Sequence, residues 1–353
     1  MSLFKNVYES VEFRVHDSTD PELVNHKPAV TANEIIVLQN GPQWLFLLAK
    51  GDKSIYVKAN ANYQVIEKHA HNITETEFDA IPNSCFLLRT AFECRFCYEG
   101  IVSLHAACVE LGDFAVAFTG HSGLGKSTRA RAWVEGLGAQ WISGDRPAVR
   151  LEEQGSIACG VPWDGKEQIF RDVEKPLKCI MEVRRSPANY VRRLSEDQAR
   201  QLIMQQSFVP MWDTDAAVMA MANVRQLVRK TPVYRVFCGP DAEDARAICD
   251  ILVNHPEMIR EEAKDMKIKE GFVLRNVVDE FIVMPTGDNI AKFEGAVVLN
   301  EVSAFIFKQL ENPVSREDLL AAMLNEYDVD EATAAADLDA LLEKFAEMGV
   351  LEK

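Results

Sequence analysis

Residues 118–128 read Phe-Thr-Gly-His-Ser-Gly-Leu-Gly-Lys-Ser-Thr, and Gly120, Gly125, Lys126 and Ser127 fill every fixed position of G-x-x-x-x-G-K-[ST]. The chemistry that this spacing serves is phosphate binding. Glycines let successive backbone N–H groups turn inward onto phosphate oxygens, and a helix that follows adds its positive N-terminal end. Lys126 would reach the β- and γ-phosphates, and the Ser127 hydroxyl would ligand Mg²⁺. Gly120, Ser122, Gly123, Gly125, Lys126, Ser127 and Thr128 are therefore the candidate residues for holding ATP. The pattern has this mechanism only between a strand and a helix. Phe114-Ala115-Val116-Ala117-Phe118 is an apolar run before it, and residues 127–137 are helix-capable.

Three more residues lie close in sequence. His105 precedes Gly120 on a strand that could pair with the one entering the loop. Asp145 ends the next strand, Trp141-Ile142-Ser143. Lys166 sits in the Gly- and Pro-bounded segment GVPWDGKEQIF, 160–170. Strand ends cluster on one edge of an α/β sheet, where ligands bind. Asp145 could face Mg²⁺, together with Ser127, or a substrate hydroxyl. His105 could orient Asp145 or exchange a proton, and Lys166 could neutralise charge on a transferring phosphoryl group. Each also has a plainer role: a strand histidine in a core, a turn aspartate, a solvated lysine.

The elements that must position these residues can be read from the same chain. Residues 1–82 hold β-branched and aromatic runs separated by Gly, Asn, Asp and Pro, and read as strands. Residues 84–98 are apolar with no deciding period. The stretch 101–250 alternates strand and helix patterns, and the helix after the loop stops near Gly136 and Gly138. Residues 254–270 are charged and read as a linker. From Gly271 two or three strands precede three amphipathic helices, the second opened by Ser315 and Asp318. That is a winged-helix-like layout.

The 353 residues carry a net charge of −16, which argues against a general nucleic-acid or membrane-surface binder. No apolar run approaches the roughly 18 residues of a membrane span, and the N-terminus lacks the pattern of a signal peptide. The expected location is cytoplasmic. Cys94 and Cys97 form a C-x-x-C without the second pair that zinc needs, and read as core residues.

The stretch LHAACVELGDFAVAFTGHSGLGKSTRARAWVEGLGAQWISGDRPAVRL resembles the catalytic core of the HPr serine kinase/phosphorylase group, related to the ATP-dependent phosphoenolpyruvate carboxykinases. The resemblance covers about residues 84–250. With GVPWDGKEQ, Pro176-Leu177 and Asn189 it is similar to small kinase-like members found in peptide-modification gene clusters. It implies that His105 and Asp145 are active-site residues and that Lys126 and Ser127 hold nucleotide and metal. The family's paired aspartates stand here as Gly144-Asp145, its His-Gly step as His105-Ala106, and the acid after the loop serine as Thr128. Residues 269–353 resemble the PqqD-like peptide-binding domain, or RiPP recognition element, most sharply at Leu299-Asn300-Glu301. Such domains bind the leader of a ribosomally made precursor peptide as an added strand, here expected along residues 291–297. A DNA-binding winged helix is the rival, but residues 271–353 hold 6 Lys+Arg against 17 Asp+Glu, the wrong balance for displacing counterions.

The expected fold is an α/β P-loop kinase core, HPr kinase/PEP carboxykinase-like, with a β-rich N-terminal region and a C-terminal α+β winged-helix-like domain. The expected segments are 1–82, β-rich; 83–253, ATP-binding; 254–270, linker; and 271–353, PqqD-like. The expected activity is phosphorylation of a serine hydroxyl on a precursor peptide. The alternative is a non-catalytic nucleotide-binding chaperone that presents the peptide to a separate modifying enzyme, and a weaker third reading is a small-molecule kinase. Expected partners are the leader segment and such an enzyme, with no nucleic acid and no membrane; a homo-oligomer is compatible with the reading.

Overall fold

The structure, a computed structural model, describes residues 12–17, 30–32, 35–50, 53–71, 84–163, 169, 171–261, 266–277, 280–289 and 297–352. Contacts divide the chain into two compact units, 1–261 and 262–353. The chain is mixed α/β with a β-rich N-terminal region.

The first unit opens with strands β1 (Glu12–Asp17), β2 (Val30–Ala32), β3 (Ile35–Asn40), β4 (Gln43–Lys50), β5 (Lys53–Ala59) and β6 (Val65–His71), which form one sheet in the order β1-β6-β5-β4-β3-β2. Period-two alternation sends Trp44, Phe46 and Leu48 of β4 to one face. Helix α1 (Ser84–Tyr98) packs on that face. Its residues 91–97 are buried without a break, which is why this stretch shows no amphipathic period: the helix is covered all round. Tyr63, fully buried with a positive φ of 57°, donates from its hydroxyl to Asp213 Oδ2 at 2.8 Å.

The second sheet holds β7 (Ile101–Ser103), β8 (Ala106–Leu111), β9 (Phe114–Thr119), β10 (Gln140–Ser143), β11 (Ala148–Leu151), β12 (Ser156–Cys159), β13 (Glu174–Arg185), β14 (Tyr190–Arg193), β15 (Val233–Cys238) and β16 (Arg260–Glu261). Its functional part runs β10-β8-β9-β13-β15. β9, β13 and β15 are parallel, and β8 runs antiparallel between β9 and β10. One edge therefore gathers the C-terminal ends of β10, β9, β13 and β15 with the start of β8.

Helices cover both faces. Val116 and Phe118 meet Trp133 of α2 (Lys126–Leu137), and Ala115 and Ala117 share a cluster with Ile203 of α3 (Glu196–Gln206) and Leu227 of α4 (Thr214–Lys230). Helix α5 (Ala242–Val253) joins α2 on the first face. They approach so closely at Gly136 that a Cβ there would press on the Ala242 backbone. Burial on both faces suits the continuous apolar run of β9.

In the second unit β17 (Lys267–Ile268) pairs with β21 (Leu351–Glu352), and β18 (Phe272–Val277), β19 (Glu280–Pro285) and β20 (Val297–Leu299) form a separate sheet. Helices α6 (Glu301–Gln309), α7 (Arg316–Glu326) and α8 (Glu331–Glu347) close the core around Phe307, Leu319, Leu338 and Phe345. Each starts at a side-chain cap that accepts a backbone N–H: Asn300, Ser315 and Asp330. The charged stretch 254–270 is shared between the units. Its residues 260–261 pair with β14, and its residues 267–268 with β21.

Candidate functional site

Gly120, Gly123 and Gly125 all hold positive φ, at 129°, 85° and 92°, which a side-chain-bearing residue adopts only with strain. These conformations turn the chain from β9 into α2. Helix α2 begins after Gly125 with no side-chain cap and no acidic residue in its first turn. Its leading N–H groups are free to meet an anion. Lys126 bends back over the loop, its Nζ donating to Gly120 O at 3.0 Å and His121 O at 3.4 Å. Burial lowers its pKa, and the Asp145 carboxylate opposes that fall. Ser122 and Thr128 are exposed, and Ser127 half-buried.

His105 and Asp145 meet beside this loop, with Nε2 and Oδ1 3.4 Å apart. Backbone pairing fixes both. Ala106 N donates to Asp145 O at 2.8 Å, and His105 N to Gln206 O at 2.7 Å. The Thr119 hydroxyl, one residue before the loop, donates to His105 O at 2.9 Å. Burial holds the His105 pKa below its ordinary value, the Lys126 and Arg146 charges add to this, and Asp145 and the Gln206 side chain oppose it. This environment favours the neutral ring.

Sequence reasoning singled out neither Arg146 nor Glu93. Glu93 lies on α1, is 1 % exposed, accepts from Ser103 Oγ at 2.6 Å and faces Arg146 Nη1 at 3.8 Å. Burial raises its pKa. Arg146 could have been suspected from its place beside Asp145; nothing local marks Glu93 or Gln206. Lys166 lies outside the described residues. Gly144 contributes only backbone here, its N–H donating to Ile169 O at 3.0 Å.

The oxygens of Ser127 and Asp145 suit Mg²⁺, which binds through one or two protein oxygens and completes its shell with phosphate and water. Among the described residues no group of three or more His, Cys, Asp and Glu side chains is placed to hold a metal by itself. Cys94 and Cys97 are buried and unbridged, and burial pushes the Cys97 thiol up to about 12. No described helix is long and apolar enough to cross a membrane.

The second unit offers a different surface. β20 pairs with β19 alone among the described residues. The sheet face turned from the helices exposes Met284 and Val298, both in register with that face. Residues 290–296, most of the expected leader edge, lie outside the described residues.

Among known proteins, the family model of coenzyme PQQ synthesis protein D (PqqD) matches residues 280–351. No curated protein matches the chain. The structure of TbiB1 in complex with the TbiA(beta) leader peptide is 27% identical, covering 24% of this chain and 94% of that one, at a TM-score of 0.22. Lasso peptide synthetase B1 complexed with the leader peptide is 18% identical, covering 25% and 99%, at a TM-score of 0.22. The Hpr(Ser) kinase/phosphatase from Coxiella burnetii is 12% identical, covering 44% and 96%, at a TM-score of 0.25. The chain thus carries a PqqD domain at its C-terminal end, within the second unit.

Proposed function

We propose that this chain is an ATP-dependent kinase that phosphorylates a serine hydroxyl of a ribosomally made precursor peptide, recruited by its PqqD domain. One observation carries the reading: an uncapped helix behind a glycine loop, with Lys126 folded over it, stands beside the His105–Asp145 pair at one sheet edge. The loop and Lys126 hold the triphosphate; Ser127 and Asp145 would hold Mg²⁺, which when bound would supply charge neutralisation at the phosphates. Asp145 accepts the proton of the serine hydroxyl as its oxygen attacks the γ-phosphorus. The bond from that phosphorus to the β–γ bridging oxygen breaks, leaving the charge on ADP beside Lys126. His105, with Nε2 3.4 Å from Asp145 Oδ1, steadies that carboxylate.

The PqqD match supports leader binding at the sheet edge of the second unit, where backbone pairing supplies affinity. The acidic balance of that unit argues against DNA as its ligand. Carrying both functions on one chain makes transfer effectively intramolecular, at concentrations that reach about millimolar with short linkers.

A second reading, a peptide chaperone without transfer activity, is favoured by Gly144. No side chain there supplies the second carboxylate, and Glu93 nearby is buried against Arg146. Incubation with Mg²⁺, ATP and a serine-containing precursor peptide whose leader binds the chain separates the two. Intact-mass measurement should show the gain of one phosphoryl group. An unchanged peptide mass under conditions where ATP binds would favour the chaperone.

A further inference from the structure

On the far side of the glycine loop from the His105–Asp145 pair lies a cavity of about 510 Å³. It is lined by Gly125, Thr128 and Arg129, by Arg185 to Pro187 after β13, and by Cys238 to Pro240 after β15. This volume falls in the range of about 300–1,000 Å³ typical of small-molecule sites.

The sheet order gives the loop a direction. His105 and Asp145 sit at β8 and β10, on one side of β9, and the cavity sits at β13 and β15, on the other. The His105–Asp145 pair that faces the reacting phosphoryl group in the kinase reading stands on the β8–β10 side, so the γ-phosphate end of a bound triphosphate belongs there. The α-phosphate end then emerges at Thr128, on the cavity rim.

Arg129 supplies an independent observation. It is 6 % exposed and its guanidinium packs under Gly125. Nη2 donates to Cys238 O at 2.9 Å, while its buried Nε has no hydrogen-bond partner among the described residues. A buried cation with an unused donor at the cavity wall is suited to an anionic, acceptor-rich ligand. Arg185 reaches across the rim to Gly123 O at 3.1 Å. Its planar guanidinium, with the faces of Pro187 and Pro240, offers stacking surfaces for a ring.

Resting on the kinase reading above, we infer that this cavity takes the nucleoside half of the nucleotide, with ribose at Thr128 and Arg129 and the base between the 185–187 and 238–240 loops. The test compares Mg²⁺–ATP with inorganic triphosphate, which has the phosphates and no nucleoside. Ser186→Trp and Pro240→Trp fill the cavity from opposite walls, at positions away from the His105–Asp145 pair. Calorimetric titration of the full chain should show ATP weakened by about tenfold or more in both variants, the scale of losing a small-molecule pocket contact, with triphosphate changed less than about twofold. Wild-type ATP affinity in both variants would overturn the assignment, as would equal losses for the two ligands. If the wild-type chain binds neither ligand, the phosphate-loop reading falls instead. If it binds triphosphate as tightly as ATP, only the nucleoside site falls.

Discussion

Replacing Lys126 by Ala should remove most nucleotide affinity and leave the fold intact. In the free protein the ammonium group is half-buried and, among the described residues, donates to the Gly120 and His121 carbonyls. Both carbonyls belong to the loop and can turn to water when the side chain is lost, so the stability change should stay within about 1 kcal/mol. Nucleotide binding is different. A unit charge about 4 Å from phosphate interacts by about 4 kcal/mol at an effective dielectric of about 20, and partial exposure here lowers that toward about 2. A weakening of about 2–4 kcal/mol corresponds to roughly 30- to 1,000-fold in Kd. Calorimetric titration with Mg²⁺–ATP at physiological salt measures it, and thermal melting of the free proteins checks the fold. Equal affinity in the variant and the wild type would refute the placing of Lys126 against phosphate. A large drop in the melting temperature of the free variant would refute the claim that its contacts are dispensable.

Asp145→Asn keeps size and hydrogen bonding but removes a base and a metal ligand; phosphoryl transfer should fall by about 10²–10⁴, and wild-type transfer with wild-type Mg²⁺ dependence would contradict the assignment. His105 should titrate below its ordinary 6.5 in the free protein, followed by NMR of the ring. Because its folded pKa is lowered, the folded state takes up fewer protons than the unfolded one, so its contribution to stability declines as pH falls through 6.5 toward the folded value. Adding inorganic triphosphate should move that midpoint up, because the phosphates neutralise the Lys126 charge that depresses it; a midpoint at or above 6.5 without ligand would contradict this. Tyr63→Phe leaves the buried Asp213 carboxylate without its hydroxyl donor and should cost about 1.5–3 kcal/mol in urea unfolding; an effect near zero would show that the pair adds nothing net.

Much of the site was legible because its parts are local in sequence. The loop, Lys126, Ser127 and the strand before them lie within 15 residues, 114–128, and the glycine pattern carries its own backbone requirement. The meeting of His105 with Asp145 followed from strands that pair in order, β8 with β9 and with β10. What was not legible came from distant packing. α1 is buried on every side, so its pattern could not distinguish helix from strand, and Glu93 on it reaches Arg146 only through the tertiary fold. The cavity is built from two turns more than 50 residues apart, 185–187 and 238–240, which the parallel pairing of β13 with β15 brings together. Lys166 and the expected leader edge at 290–296 lie outside the described residues.

If the PqqD domain delivers a peptide to the phosphoryl-transfer site on the same chain, transfer must depend on the leader. Steady-state transfer of the labelled γ-phosphoryl from ATP, measured on the full precursor and on the same peptide without its leader, tests it most directly. Removing the leader should cause a large fall in kcat/KM, carried by KM, and free leader added in trans should inhibit transfer to the full peptide. Equal kcat/KM for the two peptides, with no inhibition by free leader, would contradict it.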